Sequence, residues 1–197
     1  MKKLISLSAA ALLFCSLPTS AATYTVRFGD TLWKIAVRYK IGCSELISAN
    51  ENLKNPDLIY PGQSVTVPQP DTTITNYESE VVRLVNEIRV SHGLGTLTED
   101  WELARVARYK SQDMHDKRYF SHQSPTYGSP FNMMKSFGIS YRTAGENIAK
   151  GQRTPKAVVD AWMNSSGHRA NILNRNYTKI GIGYVADGNY WTQMFIG

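Results

Sequence analysis

Ala144-Gly145-Glu146-Asn147-Ile148 and, one helix later, Ser166-Gly167-His168-Arg169-Ala170-Asn171-Ile172-Leu173 are the stretches around which the second half of this chain is arranged. They put a carboxylate and an imidazole on two separate turns. Upstream, Phe120-Ser121-His122 supplies a second imidazole, so His122, Glu146 and His168 are candidates to converge in one cleft. Two neutral imidazoles with a carboxylate could hold Zn2+ through His122 and His168 and keep a position open for water. Without a metal, the same trio makes a charged polar cleft in which Glu146 raises the pKa of a histidine. The plainest alternative is that Glu146 and His168 tie loops together by hydrogen bonds.

The elements around these turns read as helices first and a hairpin last. An amphipathic helix beginning near Asn76 lines Val81, Leu84, Val85 and Ile88 along one face, with Glu80, Arg83, Glu87 and Arg89 largely outside, until Gly93 and Gly95 end it. A second helix over 99–116 uses Leu103, Ala104, Ala107 and Met114, with basic residues interleaved. Residues 119–131, rich in Ser, Pro and Gly, form a loop carrying His122, after which Ser129 or Pro130 opens a short helix. Thr154-Pro155 starts another, with Val158, Val159 and Trp162 facing inward. At the end, Ile180-Gly181-Ile182-Gly183-Tyr184 and Tyr190-Trp191-Thr192-Gln193-Met194-Phe195-Ile196 alternate around Asp187-Gly188-Asn189 as a β-hairpin. The glycines flanking Ile182 suit a helix packed close on the sheet. The fold class is α+β. No Gly-x-Ser-x-Gly elbow, catalytic-cysteine motif or phosphate loop is present.

With 197 residues, 42% hydrophobic and 11% aromatic, the chain can build one ordinary domain and a small one. Residues 1–22 read as a secretory signal peptide: a basic start, an apolar run from Leu4 to Leu17 and small residues at the cleavage point, so the mature chain begins near Ala22 or Thr23. The run is too short to leave a transmembrane anchor after processing. Loss of Lys2 and Lys3 lowers the formal charge from +6 to +4, a balance that suits an anionic wall or lipid surface. No dense basic stripe of the kind nucleic acid requires is present, so nucleic acid is not an expected partner. Cys43 alone survives processing, which leaves no intramolecular disulfide.

Residues 23–68 form a compact βααβ unit. Tyr24-Thr25-Val26-Arg27-Phe28 alternates as a strand, Leu32, Ile35, Ala36 and Tyr39 recur at helical spacing after a cap at Asp30 or Thr31, a short helix carries Leu46 and Ile47, and Ser64-Val65-Thr66-Val67 alternates again. Residues 69–76, with Pro70 and polar neighbours, read as a short extended linker, and 77–197 as the second domain.

The first unit resembles the LysM module through Tyr24-Thr25-Val26, Gly29-Asp30-Thr31-Leu32-Trp33-Lys34-Ile35-Ala36, Asn50 and Asn55-Pro56-Asp57-Leu58-Ile59-Tyr60-Pro61-Gly62-Gln63. The resemblance implies binding to N-acetylglucosamine-containing glycans, peptidoglycan above all. It implies a groove formed by Gly29, Asp30, Thr31 and Leu32 on one side and Pro56, Asp57, Leu58 and Ile59 on the other. A single copy adds no avidity and should bind weakly.

The second domain resembles the CAP superfamily of SCP-like extracellular proteins, in the branch found in endospore-forming bacteria. His122, Gly145-Glu146-Asn147-Ile148-Ala149, Trp162, Gly167-His168-Arg169-Ala170-Asn171-Ile172-Leu173 and the Gly181-Ile182-Gly183-Tyr184 and Trp191-Thr192-Gln193 ending carry the likeness. It implies an α-β-α sandwich and a cleft tetrad of two histidines and two acids. His122, Glu146 and His168 match; Ser165 stands where many members have the second acid, and Gln193 is the remaining polar candidate. The resulting expectation is a secreted protein held on the cell wall, its cleft binding a protein, lipid or glycan partner, with a place in the spore envelope and expression in sporulation. The alternative is a hydrolase of cell-wall or peptide substrates using His122, Glu146 and His168, with or without Zn2+.

Overall fold

The computed structural model describes residues 21–197, so all of the expected signal peptide except Ala21 and Ala22 lies outside the described residues. The first unit runs β1 (Ala21–Thr25), α1 (Leu32–Tyr39), α2 (Cys43–Ser48) and β2 (Ser64–Pro68), with β1 and β2 antiparallel and Tyr24 opposite Val65. Thr31 caps α1 by accepting a bond from the Lys34 amide at 3.2 Å. Leu32, Ile35, Ala36, Leu46, Val65 and Val67 form the core. Asn50 fastens α2 to β2: its Nδ2 donates to the Leu46 and Thr66 carbonyls, and its Oδ1 accepts the Thr66 amide, each at 2.7 Å. A buried amide with both ends satisfied in this way fixes the register of the elements it joins.

The second unit contains α3 (Thr72–Ser91), β3 (Thr98–Glu99), α4 (Trp101–Asp116), α5 (Pro130–Ser136), β4 (Ala144–Lys150), α6 (Pro155–Met163), α7 (Ser166–Ile172), β5 (Lys179–Val185) and β6 (Tyr190–Ile196). The sheet order is β3-β5-β6-β4, with β3 parallel to β5 and the other pairs antiparallel. Helix α4 covers β5 and β6 on one face, while α3 and α6 cover the other, giving an α+β fold of α-β-α layers. The units touch where Glu45 of α2 accepts bonds from Arg105 Nε (2.5 Å) and Nη2 (2.8 Å) of α4.

Two sequence expectations change here. The stretch 69–76 is not an extended linker throughout: Asp71 Oδ1 accepts the Thr73 amide at 2.7 Å, and this cap starts α3 at Thr72. The polar first turn lacked an apolar period, but a capped end needs none when the following turns are amphipathic. Gly145-Glu146-Asn147 is not a turn but the start of β4, paired with β6 from Ala144 opposite Ile196 to Lys150 opposite Tyr190. Its Gly, Glu, Asn and Ala have little strand preference of their own, and pairing along β6 overrides that.

The spacing between α4 and the sheet is set by two glycines. A Cβ built on Gly181 would lie 2.3 Å from the Ala104 nitrogen, and one on Gly183 would lie 2.1 Å from the Ala107 carbonyl carbon. The alternate residues Ile180 and Ile182 point the other way, into the cluster with Val81, Val85, Val158 and Trp162. Ser111 of α4 bonds the Gly183 carbonyl and Thr192 Oγ1, each at 2.9 Å, which the close approach alone permits. Gly183→Ala should therefore cost about 3 kcal/mol or more, because backbone rather than a flexible side chain must give way. Urea unfolding of the two proteins measures it.

Candidate functional site

Alternation along β4 turns Glu146 and Ile148 to one face and Asn147 to the other. Asn147 Nδ2 donates to Gln193 Oε1 (2.9 Å) and to the His168 carbonyl (3.1 Å), while Asn171 Nδ2 donates to Asn147 Oδ1 (2.8 Å) and to the Glu146 carbonyl (3.2 Å). These amides lash α7 to β4 and bring His168 beside Glu146. The result is a cleft of about 760 Å3 lined by His122, Glu146, His168 and Asn171, with the half-exposed rings of Phe120 and Phe131 at its wall. The trio anticipated from the sequence is thus brought together. Ser165, at the N-cap of α7, does not line it, and Gln193 is wholly buried against Asn147, so neither completes the polar set of the cleft.

His122 Nδ1 and Glu146 Oε1 lie 2.6 Å apart in a hydrogen bond, the imidazole half-exposed and the carboxylate almost entirely buried. Glu146 Oε2 is buried with no partner among the described residues. Burial pushes the Glu146 pKa up, opposed by the His122 hydrogen bond and by the charges of Lys110 and His122. Burial pulls His168 down, helped by the charge on His122. A neutral His168 is therefore available at neutral pH as donor or acceptor. Among the described residues no group of three or more His, Cys, Asp or Glu is placed to hold a metal. The His122 Nδ1–Glu146 bond leaves the other ring nitrogen free to ligate, but with no third ligand placed among the described residues the cleft does not fit a Zn2+ site of three protein ligands.

Two functional supports escaped the sequence reading. Lys110 is wholly buried and its Nζ donates to the carbonyls of Ser121 (2.7 Å) and His122 (3.0 Å). Asp113 accepts from Tyr119 and Ser124 hydroxyls, each at 2.6 Å. Together they hold the His122 loop against α4. The signal was in the spacing: Leu103, Ala107, Lys110 and Met114 fall on one helical stripe, where a lysine is out of place unless it is bonded. Arg89, expected outside, shares the stripe of Val81 and Val85 and is buried for the same kind of reason.

In the first unit the anticipated glycan-binding residues divide. Leu32 is buried in the core. Asp30 turns inward, its Oδ2 accepting the Tyr24 hydroxyl (2.6 Å) and the Arg27 amide (2.8 Å). Thr31 spends its hydroxyl on the α1 cap. These three can offer a ligand mainly backbone. Gly29, Asp57 and Leu58 are exposed, Pro56 and Ile59 partly so. A cavity of about 640 Å3 is lined by Leu53, Asn55, Leu58, Tyr60 and Gln63, of which Leu58 alone belongs to the anticipated set. Phe28, Trp33 and Tyr60 are further exposed rings of this unit that the sequence reading did not single out.

Comparison with known proteins bears on both units. The cysteine-rich secretory protein (CAP) family model matches residues 82–195 and the LysM domain model matches residues 24–68. The chain belongs to the CAP family, with a LysM domain in front. The uncharacterized protein YkwD of Bacillus subtilis is 56% identical over 154 residues, covering 78% of this chain and 60% of that protein. The spore coat assembly protein ExsA of Bacillus cereus is 49% identical over 45 residues, 23% of this chain and 7% of that protein. This chain thus spans less than two thirds of either relative. A solved extracellular protein containing an SCP domain, from Bacillus anthracis, superposes with a TM-score of 0.61 at 35% identity, over 69% of this chain and 47% of that one.

Because the folded-state pKa of Glu146 is raised, folding retains a proton that the unfolded chain releases. Its contribution to stability is present below the unfolded pKa and is lost as pH rises through the folded one. The stability of the wild type relative to Glu146→Gln should therefore fall as pH rises across and above the ordinary carboxylate range. Denaturant midpoints of both proteins, taken at several pH values, read this directly.

Proposed function

We propose that this is a secreted, wall-associated protein whose LysM domain holds it on peptidoglycan through N-acetylglucosamine and whose CAP cleft binds a polar ligand or partner. The observation that carries the cleft reading is the convergence of His122, Glu146, His168 and Asn171 on one cavity walled by Phe120 and Phe131: a half-exposed His122 imidazole, held by the buried Glu146, faces a ligand's polar group beside apolar surface for its body. The exposed loops around Leu58, Asp57 and Gly29 support the glycan reading, as does the LysM match. Among the described residues no helix is long and apolar enough to cross a membrane, which accords with association through binding rather than insertion. A place in the spore envelope is part of the proposal, supported by the likeness of the first unit to a protein named for spore coat assembly. Detection only in the medium of vegetative cultures, with none in purified spores, would remove that part.

A hydrolase is the second reading, favoured by the buried acid paired with an exposed imidazole, an arrangement suited to proton transfer. The single carboxylate and the absence of a three-ligand metal group among the described residues weigh against it.

One experiment separates them. The mature protein, Glu146→Gln and Leu58→Asp are each incubated with purified peptidoglycan and sedimented, and the supernatant is analysed by mass spectrometry. Wild type and Glu146→Gln should sediment alike and release no fragments, while Leu58→Asp should stay largely in solution. Fragments released by the wild type and not by Glu146→Gln would establish the hydrolase. A wild type that fails to sediment would overturn the wall reading.

A further inference from the structure

Arg89 is a cation whose charge no carboxylate answers. It is 2% exposed, on the inward stripe of α3. Its Nε donates to the Gly95 carbonyl at 2.8 Å, and its Nη1 to the carbonyls of Ile172 (2.7 Å) and Asn174 (2.9 Å). These bonds explain why the side chain turns inward: it ties the loop after α3 to the end of α7. They do not neutralise it, and no ion pair to Arg89 exists among the described residues. Burial pulls its guanidinium down from its ordinary value, with no acid nearby to oppose the effect.

Arg89 also borders an open space. A cavity of about 490 Å3 lies between the loop after α3 and the segment before β5, lined by Arg89, Arg175, Gly95, Thr96, Thr98 and Thr178, among others, and by no acidic residue. Arg89 Nη2 has no acceptor among the described residues, yet it is not among the buried unsatisfied atoms, so it reaches accessible space. Arg175 is exposed at the rim and forms no ion pair among the described residues. The Gly95 and Thr96 amides donate to no backbone acceptor among the described residues, and a Cβ built on Gly95 would meet nothing within 4 Å. Two guanidinium groups and free amides around one space are donors, and the threonine hydroxyls beside them can donate too, which is the chemistry that recognises an oxyanion.

We propose that this cavity binds an oxyanion, the phosphate or carboxylate group of a larger ligand, with Arg89 as the fixed buried donor and Arg175 as the mobile rim donor. The site is separate from the His122–Glu146–His168 cleft and does not depend on what that cleft binds. An anion here also relieves the uncompensated charge at the junction of α3 and α7, so occupancy should stabilise the fold.

The test is a titration of the folded protein with inorganic phosphate and, separately, acetate, at constant ionic strength held with chloride, followed by amide chemical shifts. The expected result is saturable shifts at Gly95 and Thr96 with either anion, the tighter of the two identifying a phosphoryl or a carboxylate ligand. Arg175→Ala, an exposed substitution that leaves the fold intact, should weaken binding roughly tenfold through loss of one charge-assisted contact. Arg89→Lys keeps the charge but not the fork and should weaken it as well; if that variant fails to fold, Arg175→Ala alone decides. Glu146→Gln should bind the anion as the wild type does. Shifts that never saturate, or that are the same in Arg175→Ala, would overturn the site.

Discussion

The contact on which the second domain depends is backbone against backbone: α4 lying on β5 with only Gly181 and Gly183 between them. Everything else on that face follows from the distance it sets. Ser111 can reach both a strand carbonyl and Thr192, and Glu78 of α3 can accept Arg108 of α4 and the Tyr184 amide of β5 at once. With α4 fixed, its inward side chains arrive at fixed points beneath the neighbouring loop, and that is where the cleft begins.

The charges buried along α3 and α4 do the work that disulfides do in many secreted folds. Lys110 gathers the carbonyls of Ser121 and His122, Arg89 those of Gly95, Ile172 and Asn174, and the Glu78–Arg108 pair joins three elements. Each costs desolvation, and each would be strongly destabilising if its partners were removed. Their return is positional: irregular segments, which have no ladder of their own, are held to the sandwich at the places where side chains must converge. Glu146 shows what that positioning permits. A nearly buried carboxylate has one oxygen committed to an imidazole and one unpartnered among the described residues, while the amides of Asn147, Asn171 and Gln193 tie the strand that carries it to α7 and β6.

Many elements were legible in the residues. The βααβ order, the caps at Thr31 and Thr154, the helix α5 opened at Ser129, the hairpin about Asp187-Gly188-Asn189 and the close approach at Gly181 and Gly183 all rest on local rules of capping, alternation and turn chemistry. The trio His122, Glu146 and His168 was legible too, as residue types on adjoining motifs. Asp71 was an overlooked cap, and the stripe positions of Lys110 and Arg89 were an overlooked warning that a charged side chain faces inward.

What the sequence determined by itself is therefore the local structure, the two-unit order and the chemical identity of the cleft. Only the tertiary structure decided that Glu146 sits on a strand, because the pairing that makes β4 a strand comes from β6, almost fifty residues later in the chain. Only it decided that Asp30 and Leu32 face inward, that Gln193 is spent on Asn147, and that Arg89 borders a cavity lined with donors. Each of these depends on which distant partner a side chain meets, and such meetings are fixed by packing rather than by any property of neighbouring residues.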